Sequence, residues 1–156
     1  MRPTETHLVR VRPATPDGAP AVADVHLASR RAAPMPPGVH DDDATRAWLA
    51  GRLVDDGDEV WVAEAHDGAA AVVGYLRMTA TWVDDLYVTP AYAGQGIGSL
   101  LLDLAKSLRP GGFSLWVFEM NAPARAFYRH HGLVEREHTD GSDNEEQTPD
   151  LRMSWG

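Results

Sequence analysis

Residues 83–105 read VDDLYVTPAYAGQGIGSLLLDLA, and this stretch decides the fold. An apolar strand passes into a helix at the point where Gly94, Gly96 and Gly98 alternate along the chain. Glycine weakens both strands and helices, so its repeated use here needs a reason. After the glycines, apolar residues recur at the spacing of one helical face, at Ile97, Leu101, Leu104, Ala105 and Leu108. The stretch therefore predicts a strand, a glycine-rich turn and a helix.

Alternating glycines before a helix are typical of an anion site. They leave successive backbone N–H groups unobstructed, and the helix adds the positive end of its dipole. A diphosphate is the natural ligand, whereas the simpler explanation, a tight turn with positive φ, usually requires one glycine. A P-loop is excluded because no lysine follows Gly98. A Rossmann dinucleotide site stays an alternative because Glu119 ends the next strand, although the G-x-G-x-G spacing departs from that fingerprint.

The rest of the chain alternates strand-like and helix-like segments. Strands are predicted around residues 8–11, 59–65, 71–80, 82–88, 113–118, 133–138 and 150–155. Further helices are predicted after Asp17, after the aspartate run 41–43 and over 121–132, where Asn121 is the N-cap. The order β-α-α-β-β-β-α-β-α-β-β predicts an α/β (α+β) fold, with a mostly antiparallel mixed sheet of about seven strands and about four helices on both faces. The length predicts a single domain over 1–156.

Composition narrows the class of protein. The net charge of −9 argues against a nucleic-acid partner and mildly favours cationic substrates. The chain has no cysteine, which excludes disulfides, cysteine-ligated metal and a thiol nucleophile. No run of about 18 apolar residues is present, and the N-terminal segment lacks a signal-peptide core. We therefore expect a cytoplasmic protein with no membrane partner.

Two blocks of this sequence resemble a known family. LYVTPAYAGQGIGSLLL followed by NAPARAFYRHHGL is similar to the GNAT superfamily of acyl-CoA-dependent N-acetyltransferases. The family signature Arg/Gln-x-x-Gly-x-Gly/Ala falls on Ala93, Gly94, Gln95, Gly96, Ile97 and Gly98. The family pattern N-x-x-A-x-x-F-Y-x-x-x-G falls on Asn121, Ala124, Phe127, Tyr128 and Gly132. Ala93 replaces the usual Arg or Gln, so one side-chain contact to CoA is expected to be missing.

The resemblance implies a reaction and a cosubstrate. Acetyl-CoA would give its acetyl group directly to a primary amine of a small molecule or peptide, and the absence of cysteine leaves no thiol to form a covalent intermediate. The fourth strand would splay from the fifth, so that backbone groups of Leu86, Tyr87 and Val88 pair with pantetheine and the thioester carbonyl. Ser99 and Asn121 would complete the cofactor site. The family also implies a possible homodimer.

Tyr128 is the predicted general acid. Family members use the tyrosine at this position to protonate the leaving thiolate, and a tyrosine pKa of about 10 keeps the phenol protonated at neutral pH. A core tyrosine with a satisfied hydroxyl is the alternative. For Asn121, helix capping alone is an equally good explanation.

Asp84 is the predicted general base, with less support. Many relatives carry a glutamate at the position of Trp82, and tryptophan cannot accept a proton. Strand alternation puts Trp82, Asp84 and Leu86 on one face, and Val83, Asp85 and Tyr87 on the other. Asp84 is then the nearest replacement on the face of Trp82. Asp85, Glu119 and solvent remain alternatives.

The resemblance places the acceptor between the first two helices, the last hairpin and the cofactor. The matching segments and residues here are the loops MPPGVH and SDNEEQTPD, with Trp48, Tyr75, Trp82 and Trp116. Aromatic and acidic side chains together suit an ammonium group, although Glu145 and Glu146 are interpreted as a solvated charge run. The histidines show no metal-ligand spacing, so no metal is expected. A non-catalytic acyl-CoA sensor on the same fold is the alternative function.

Overall fold

The structure is a computed structural model that describes residues 9–156. Its strands are β1 (Val9–Pro13), β2 (Glu59–Ala65), β3 (Ala71–Thr79), β4 (Trp82–Val88), β5 (Phe113–Phe118), β6 (Val134–Thr139) and β7 (Asp150–Trp155). Its helices are α1 (Ala19–Ala32), α2 (Asp42–Arg52), α3 (Ile97–Leu108) and α4 (Ala122–His130), with 3-10 turns at Pro16–Gly18 and Pro90–Tyr92. Leu8, predicted to begin the first strand, lies outside the described residues. Within residues 9–156, no helix combines the length and the apolar character needed to cross a bilayer.

Local signals set most helix starts. α2 begins after Asp41, whose carboxylate accepts a hydrogen bond from the Ala44 N–H at 2.8 Å. α4 begins after Asn121, which caps it in the same way. α1 differs from the prediction, because Asp17 lies in a 3-10 turn and Gly18 precedes the helix without a side-chain cap. The Gly18 N–H donates to the Thr15 carbonyl at 2.8 Å, which closes a 3-10 turn before α1 begins at Ala19.

The strands form one sheet in the order β1-β2-β3-β4-β5-β7-β6. Neighbouring strands are antiparallel except β4 and β5, which are parallel. This topology confirms the predicted mostly antiparallel mixed sheet. It excludes the Rossmann alternative, because a dinucleotide site of that kind needs a doubly wound parallel sheet.

Apolar side chains cover both faces of the sheet, as predicted. On one face α3 and α4 pack on the larger core, whose fully buried members include Leu76, Leu101, Leu102, Leu115, Leu151 and Met153. On the other face α1 and α2 pack on a smaller core formed by Val22, Ala23, Val25, Leu49, Val60, Val62 and Tyr75. The residues of the smaller core that belong to strands lie on β2 and β3, and Tyr87 of β4 packs against them.

β4 and β5 separate after one paired position. Trp82 pairs with Ser114, whose N–H donates to the Thr81 carbonyl at 2.9 Å, and no later residue of β4 pairs with β5. A cavity of about 360 Å³ opens beyond this point, lined mainly by residues 83–88 of β4, 115–118 of β5 and part of α1 and α4. We call this cavity the splay cleft. The predicted splay is therefore present, and it leaves backbone groups of β4 without a strand partner.

A β-bulge interrupts β4 at Asp84. Arg77 of β3 pairs with Asp85 and Met78 pairs with Val83, so Asp84 is the extra residue. Val83 is buried in the larger core, whereas Asp85 binds Arg77 on the opposite face. The alternation predicted for this strand is therefore wrong at these positions, because one inserted residue reverses the faces that follow it.

Candidate active site

Each glycine of the turn between β4 and α3 has its own geometric reason. Gly94 and Gly96 have φ of +77° and +84°, a region that side chains rarely adopt, and a Cβ at either would meet nothing within 4 Å. Gly98 has ordinary φ, but a Cβ there would lie 3.3 Å from Phe127 Cζ. Gly94 and Gly96 thus allow the turn, which needs two glycines with positive φ rather than the usual one. Gly98 allows α3 to approach α4.

The N-terminus of α3 opens into a second cavity. Gly96 precedes the helix without a side-chain cap, and the first intrahelical bond runs from the Leu100 N–H to the Gly96 carbonyl at 3.0 Å. The N–H groups of the first turn therefore have no partner within the helix. The cavity measures about 430 Å³ and is lined by Leu86, Val88, Tyr92, Ala93, Gly94, Gly96, Ile97, Gly98, Ser99, Ala124, Phe127 and Tyr128. We call it the glycine cavity, and its backbone donors and helix dipole suit an anion.

Two residues predicted for this cavity contribute little side-chain chemistry. Ala93 lines it with a methyl group that donates nothing, while Gln95 is exposed and does not line it. The Ser99 hydroxyl lies 3.0 Å from His131 Nε2 and is therefore already partnered. Burial, with the nearby His130 and Lys106 charges, lowers the pKa of His131. The cavity therefore offers backbone groups rather than charged side chains.

The carboxyl end of β4 directs backbone groups into the splay cleft. The Thr89 N–H donates to β3 at 2.8 Å, so the alternation of an antiparallel ladder turns the backbone of Val88 and Leu86 away from β3. The Ser29 hydroxyl donates to the Val88 carbonyl at 2.8 Å from this side. The same alternation turns the backbone of Tyr87 toward β3. Tyr87 therefore lines the cleft with its side chain, unlike the backbone contact expected of it.

Tyr128 lies where the glycine cavity meets the splay cleft, and it lines both. Its ring packs edge-on against Phe127, with centroids 5.4 Å apart. Among residues 9–156, none hydrogen-bonds its hydroxyl. Desolvation, followed by the nearby Tyr87 and Asp85 groups, raises the pKa of Tyr128 well above the ordinary tyrosine value. The phenol therefore stays protonated at neutral pH and can donate into the junction of the two cavities.

Asn121 caps α4 and also lies at the wall of the splay cleft. Its side-chain oxygen accepts from the Ala124 N–H at 3.3 Å and caps α4, and the residue is buried. It also lines the splay cleft. The cap explains why the sequence needs a short polar residue here, and a contact of its amide with CoA stays a prediction.

The two adjacent aspartates of β4 differ in environment. Asp84, at the bulge, is exposed and accepts a hydrogen bond from Thr79 Oγ1 at 2.5 Å. Partial desolvation raises the pKa of Asp84, against the opposing effects of Thr79 and Arg77. Asp85 is buried, and one of its oxygens accepts from Tyr75 Oη at 3.0 Å and Arg77 Nε at 2.8 Å. Both line the splay cleft.

A third cavity lies between α1, α2 and two loops, and we call it the α1–α2 cavity. It measures about 900 Å³ and is lined by His26, Leu27, Arg30, Arg31, residues 35–40, Asp42, Ala44, Thr45, Trp48, Asp85, Glu145 and Glu146. Asp85 and Arg30 line this cavity and the splay cleft, so the two spaces adjoin. The predicted MPPGVH loop, Trp48 and the acidic loop thus come together here.

Three residues predicted near the acceptor, and one alternative base, do not line the α1–α2 cavity. Tyr75 is fully buried beneath the α1–α2 cavity. Trp82 and Trp116 stack on each other with centroids 6.2 Å apart, and only Trp116 lines the splay cleft. Glu119, an alternative base, is exposed after β5 and lines none of the three cavities. Their positions follow from strand pairing, which the sequence pattern did not resolve.

The two glutamates of the acidic loop differ in their exposure to solvent. Glu146 pairs with Arg30 at 3.4 Å, and their side chains are only 16% and 18% exposed. Glu145 pairs with His40 at 3.1 Å at the exposed rim. The interpretation of these glutamates as solvated was therefore wrong for Glu146, because the β6–β7 loop folds back onto α1 across more than 100 residues of sequence.

Sequence reasoning missed three residues of α1. His26, Ser29 and Arg30 lie at the i, i+3 and i+4 spacing of one helical face, and all three line the site. A polar trio on the buried face of a helix was the signal that could have found them. Within residues 9–156, no group of three or more histidine, aspartate or glutamate side chains could hold a metal ion.

Solved structures share this architecture. The solution structure of apo-form YjaB from Escherichia coli superposes with a TM-score of 0.75 at 19% identity, covering 95% of this chain and 97% of that one. The crystal structure of PaiA N-acetyltransferase from Thermoplasma acidophilum in complex with coenzyme A gives a TM-score of 0.71 at 18% identity, covering 94% and 97%. These matches confirm the predicted fold.

Sequence comparison reaches the same family. The chain is 35% identical over 74 residues to the peptidyl-lysine N-acetyltransferase YjaB of Salmonella typhimurium (strain LT2), a stretch that covers 47% of this chain and 49% of that protein. The match thus spans about half the length of this curated relative. A family profile described as an acetyltransferase (GNAT) domain matches residues 56–135, which include the bulge, the glycine turn and Tyr128. That profile covers half of the chain, so the chain belongs to the GNAT family of acetyltransferases.

Proposed function

We propose that this protein transfers an acetyl group from acetyl-CoA to a primary amine of a small molecule or peptide. One observation carries the proposal: Tyr128 lies at the junction of the glycine cavity and the splay cleft, and the splay cleft adjoins the α1–α2 cavity through Asp85. An anion site and a thioester channel would thus meet at one protonated phenol, and an amine pocket would adjoin the thioester channel at Asp85.

The glycine cavity and the splay cleft divide the cosubstrate between them. The first turn of α3 would bind the diphosphate through its N–H groups and dipole. Pantetheine would then run along the unpaired edge of β4, where Leu86 and Val88 offer backbone groups, with Asn121 at the opposite wall. An N–H at this edge would stabilise negative charge on the thioester oxygen during attack.

The reaction would proceed by direct attack of the amine on the thioester carbonyl carbon. The attack would give a tetrahedral intermediate, which re-forms the carbonyl as the C–S bond breaks, and Tyr128 would give its proton to the leaving sulfur. Tyr128 is suited to this step because its raised pKa keeps the phenol protonated. Asp84 stays a predicted base at the edge of the splay cleft, and Asp85 is its buried alternative.

The α1–α2 cavity supports an acceptor that carries positive charge. Asp85 and Glu145 line it beside Trp48, whose ring also contacts the Arg77 guanidinium at 4.8 Å. Two cations line it as well, and each is paired with an acid, Arg30 with Glu146 and Arg31 with Asp42. The relative of Salmonella typhimurium is named for acetylation of peptidyl-lysine. We therefore propose a lysine side chain in a peptide as the first acceptor to test, with small polyamines as the second.

Calorimetric titration with acetyl-CoA, with NADH as the control ligand, tests the cosubstrate. We expect binding of acetyl-CoA at one site per chain and no heat from NADH. Thioester consumption is then measured with an Nα-blocked lysine peptide, a peptide with a free N-terminus and spermidine. Failure to bind acetyl-CoA contradicts the proposal, and tight binding without turnover on any amine favours the acyl-CoA sensor.

A further inference from the structure

Three buried side chains form a chain of hydrogen bonds from α1 to β4. His26 Nδ1 lies 2.7 Å from Tyr75 Oη, and Tyr75 Oη lies 3.0 Å from Asp85 Oδ2. All three residues are less than 9% exposed. Arg77 Nε holds the same Asp85 oxygen at 2.8 Å and balances its charge. The four groups are thus held in one buried array, because any unpaired member would lose its hydration without compensation.

The donors and acceptors in this array set the tautomer of His26. A carboxylate only accepts hydrogen bonds, so Asp85 receives the Tyr75 proton. The Tyr75 hydroxyl has no second proton to donate, so its oxygen accepts a hydrogen bond from His26 Nδ1. The proton of the neutral imidazole is therefore on Nδ1, and Nε2 carries the free lone pair. A carboxylate thus orients a histidine through a tyrosine, by the same logic that orients the histidine of a catalytic triad.

The Nε2 atom of His26 has no hydrogen-bond partner among residues 9–156. His26 is one of the residues that line the α1–α2 cavity. Within residues 9–156, the buried side-chain nitrogen and oxygen atoms that lack a hydrogen-bond partner belong to Arg52, Asp58 and His66. The unpartnered Nε2 of His26 is not one of them, so it is accessible to solvent. The lone pair is therefore reachable from the space in which an acceptor amine would lie.

We propose that His26 is the general base that takes the proton from the acceptor ammonium, with Tyr75 and Asp85 as positioning residues. This inference rests on the proposed acetyl transfer. An N–H bond of the ammonium breaks and its proton moves to Nε2, after which the amine lone pair forms the new C–N bond. The second proton of the amine replaces the one that Tyr128 gives to the sulfur. One proton stays in the amide and the first leaves His26 through the cavity, so atoms and charge balance.

The surroundings of His26 keep it unprotonated at neutral pH. Burial lowers the pKa of His26, with Asp85 opposing and Arg30 and Arg77 adding to the effect. The other ionisable groups that line the cavity are Arg31, His40, Asp42, Glu145 and Glu146, and Tyr75 and Tyr87 pack against the ring. The basic form therefore dominates above a pH lower than the usual histidine value of about 6.5.

The test compares pH profiles of kcat/KM for wild type, His26→Gln and Tyr75→Phe, using acetyl-CoA and the amine of the panel that turns over fastest. Near pH 7 we expect His26→Gln to lower kcat/KM by roughly 100-fold or more, because the variant lacks the general base. The deficit should shrink as pH approaches the pKa of the amine, because a free amine needs no base. Tyr75→Phe should lose less and move the acid limb of the profile to lower pH. His138→Gln, on the exposed face of β6, is the matched control and should behave as wild type.

Chemical rescue separates a proton acceptor from a structural role. His26→Ala should regain turnover when imidazole is added, whereas a variant that is merely misfolded should not. An equal deficit for His26→Gln at every pH, without rescue of His26→Ala, overturns the inference. The inference is also overturned if Asp84→Asn lowers kcat/KM and His26→Gln does not. If wild type transfers acetyl to no amine while binding acetyl-CoA, the proposed function fails and this inference fails with it.

Discussion

At the residue scale, Tyr128 lies where two cavities meet, and its proposed role is to donate the phenol proton. Tyr128→Phe keeps the ring packing against Phe127 and removes only the hydroxyl. We expect kcat to fall roughly 100-fold while acetyl-CoA affinity is nearly unchanged, because the phenol acts on the leaving group. Steady-state kinetics with calorimetry measure both quantities, and equal kcat in the variant contradicts the acid role.

The direction of the Tyr128 pKa shift gives a second expectation. Burial raises this pKa above the ordinary value of about 10, so the acid form persists as the solution becomes alkaline. The wild-type kcat should therefore show no alkaline decline below about pH 10. A decline of kcat centred at about pH 8 to 9 would report a group that titrates well below a buried phenol. That result contradicts Tyr128 as the acid.

Gly96 links a backbone angle to ligand charge. Gly96→Asp introduces a side chain at positive φ and a negative charge beside the N-terminus of α3. We expect acetyl-CoA affinity to fall by about 10-fold or more, which corresponds to about 1.4 kcal/mol. Gly111→Asp is the matched control, since Gly111 has open space at its Cβ and lies outside the cavities. Equal affinities of the two variants contradict the anion site.

At the element scale, α2 is held at its start by one hydrogen bond. Asp41→Ala removes the acceptor of the Ala44 N–H and should lower the free energy of unfolding by about 1 kcal/mol. Asp43→Ala, in the first turn, loses only a favourable dipole contact and should cost about 0.3 kcal/mol. Urea unfolding measures both. Acetyl-CoA binding should not change in either variant, because α2 packs on the opposite face of the sheet from α3.

At the scale of the whole molecule, the sheet separates two cores. Leu49 lies in the smaller core under α1 and α2, and Leu101 lies in the larger core under α3. Each Leu→Ala substitution should cost about 2–5 kcal/mol, because it removes transfer energy and leaves a cavity. The double variant should lose the sum within about 0.5 kcal/mol, since the sites share no contacts. A large departure from additivity would mean that the cores are coupled across the sheet.

Local sequence determined much of this protein. The strand bounds of β2, β4 and β5, the cap at Asn121 and the glycine turn all follow from interactions within a few residues, and each was predicted. The aspartate run 41–43 predicted the start of α2, and the structure shows Asp41 as its cap. The two blocks around the glycines and Tyr128 also predicted the family, since the chemistry of a phosphate cradle requires a local backbone pattern.

Only the tertiary structure decided where the acceptor side meets the cofactor side. The two-residue alternation of a strand sequence does not reveal the bulge at Asp84, because a bulge is defined by which residues of β3 lie opposite β4. The contact of Glu146 with Arg30 and the array of His26, Tyr75 and Asp85 join segments far apart in sequence. No local pattern encodes such pairings, since their free energy comes from burying polar groups together, and that requires the assembled sheet.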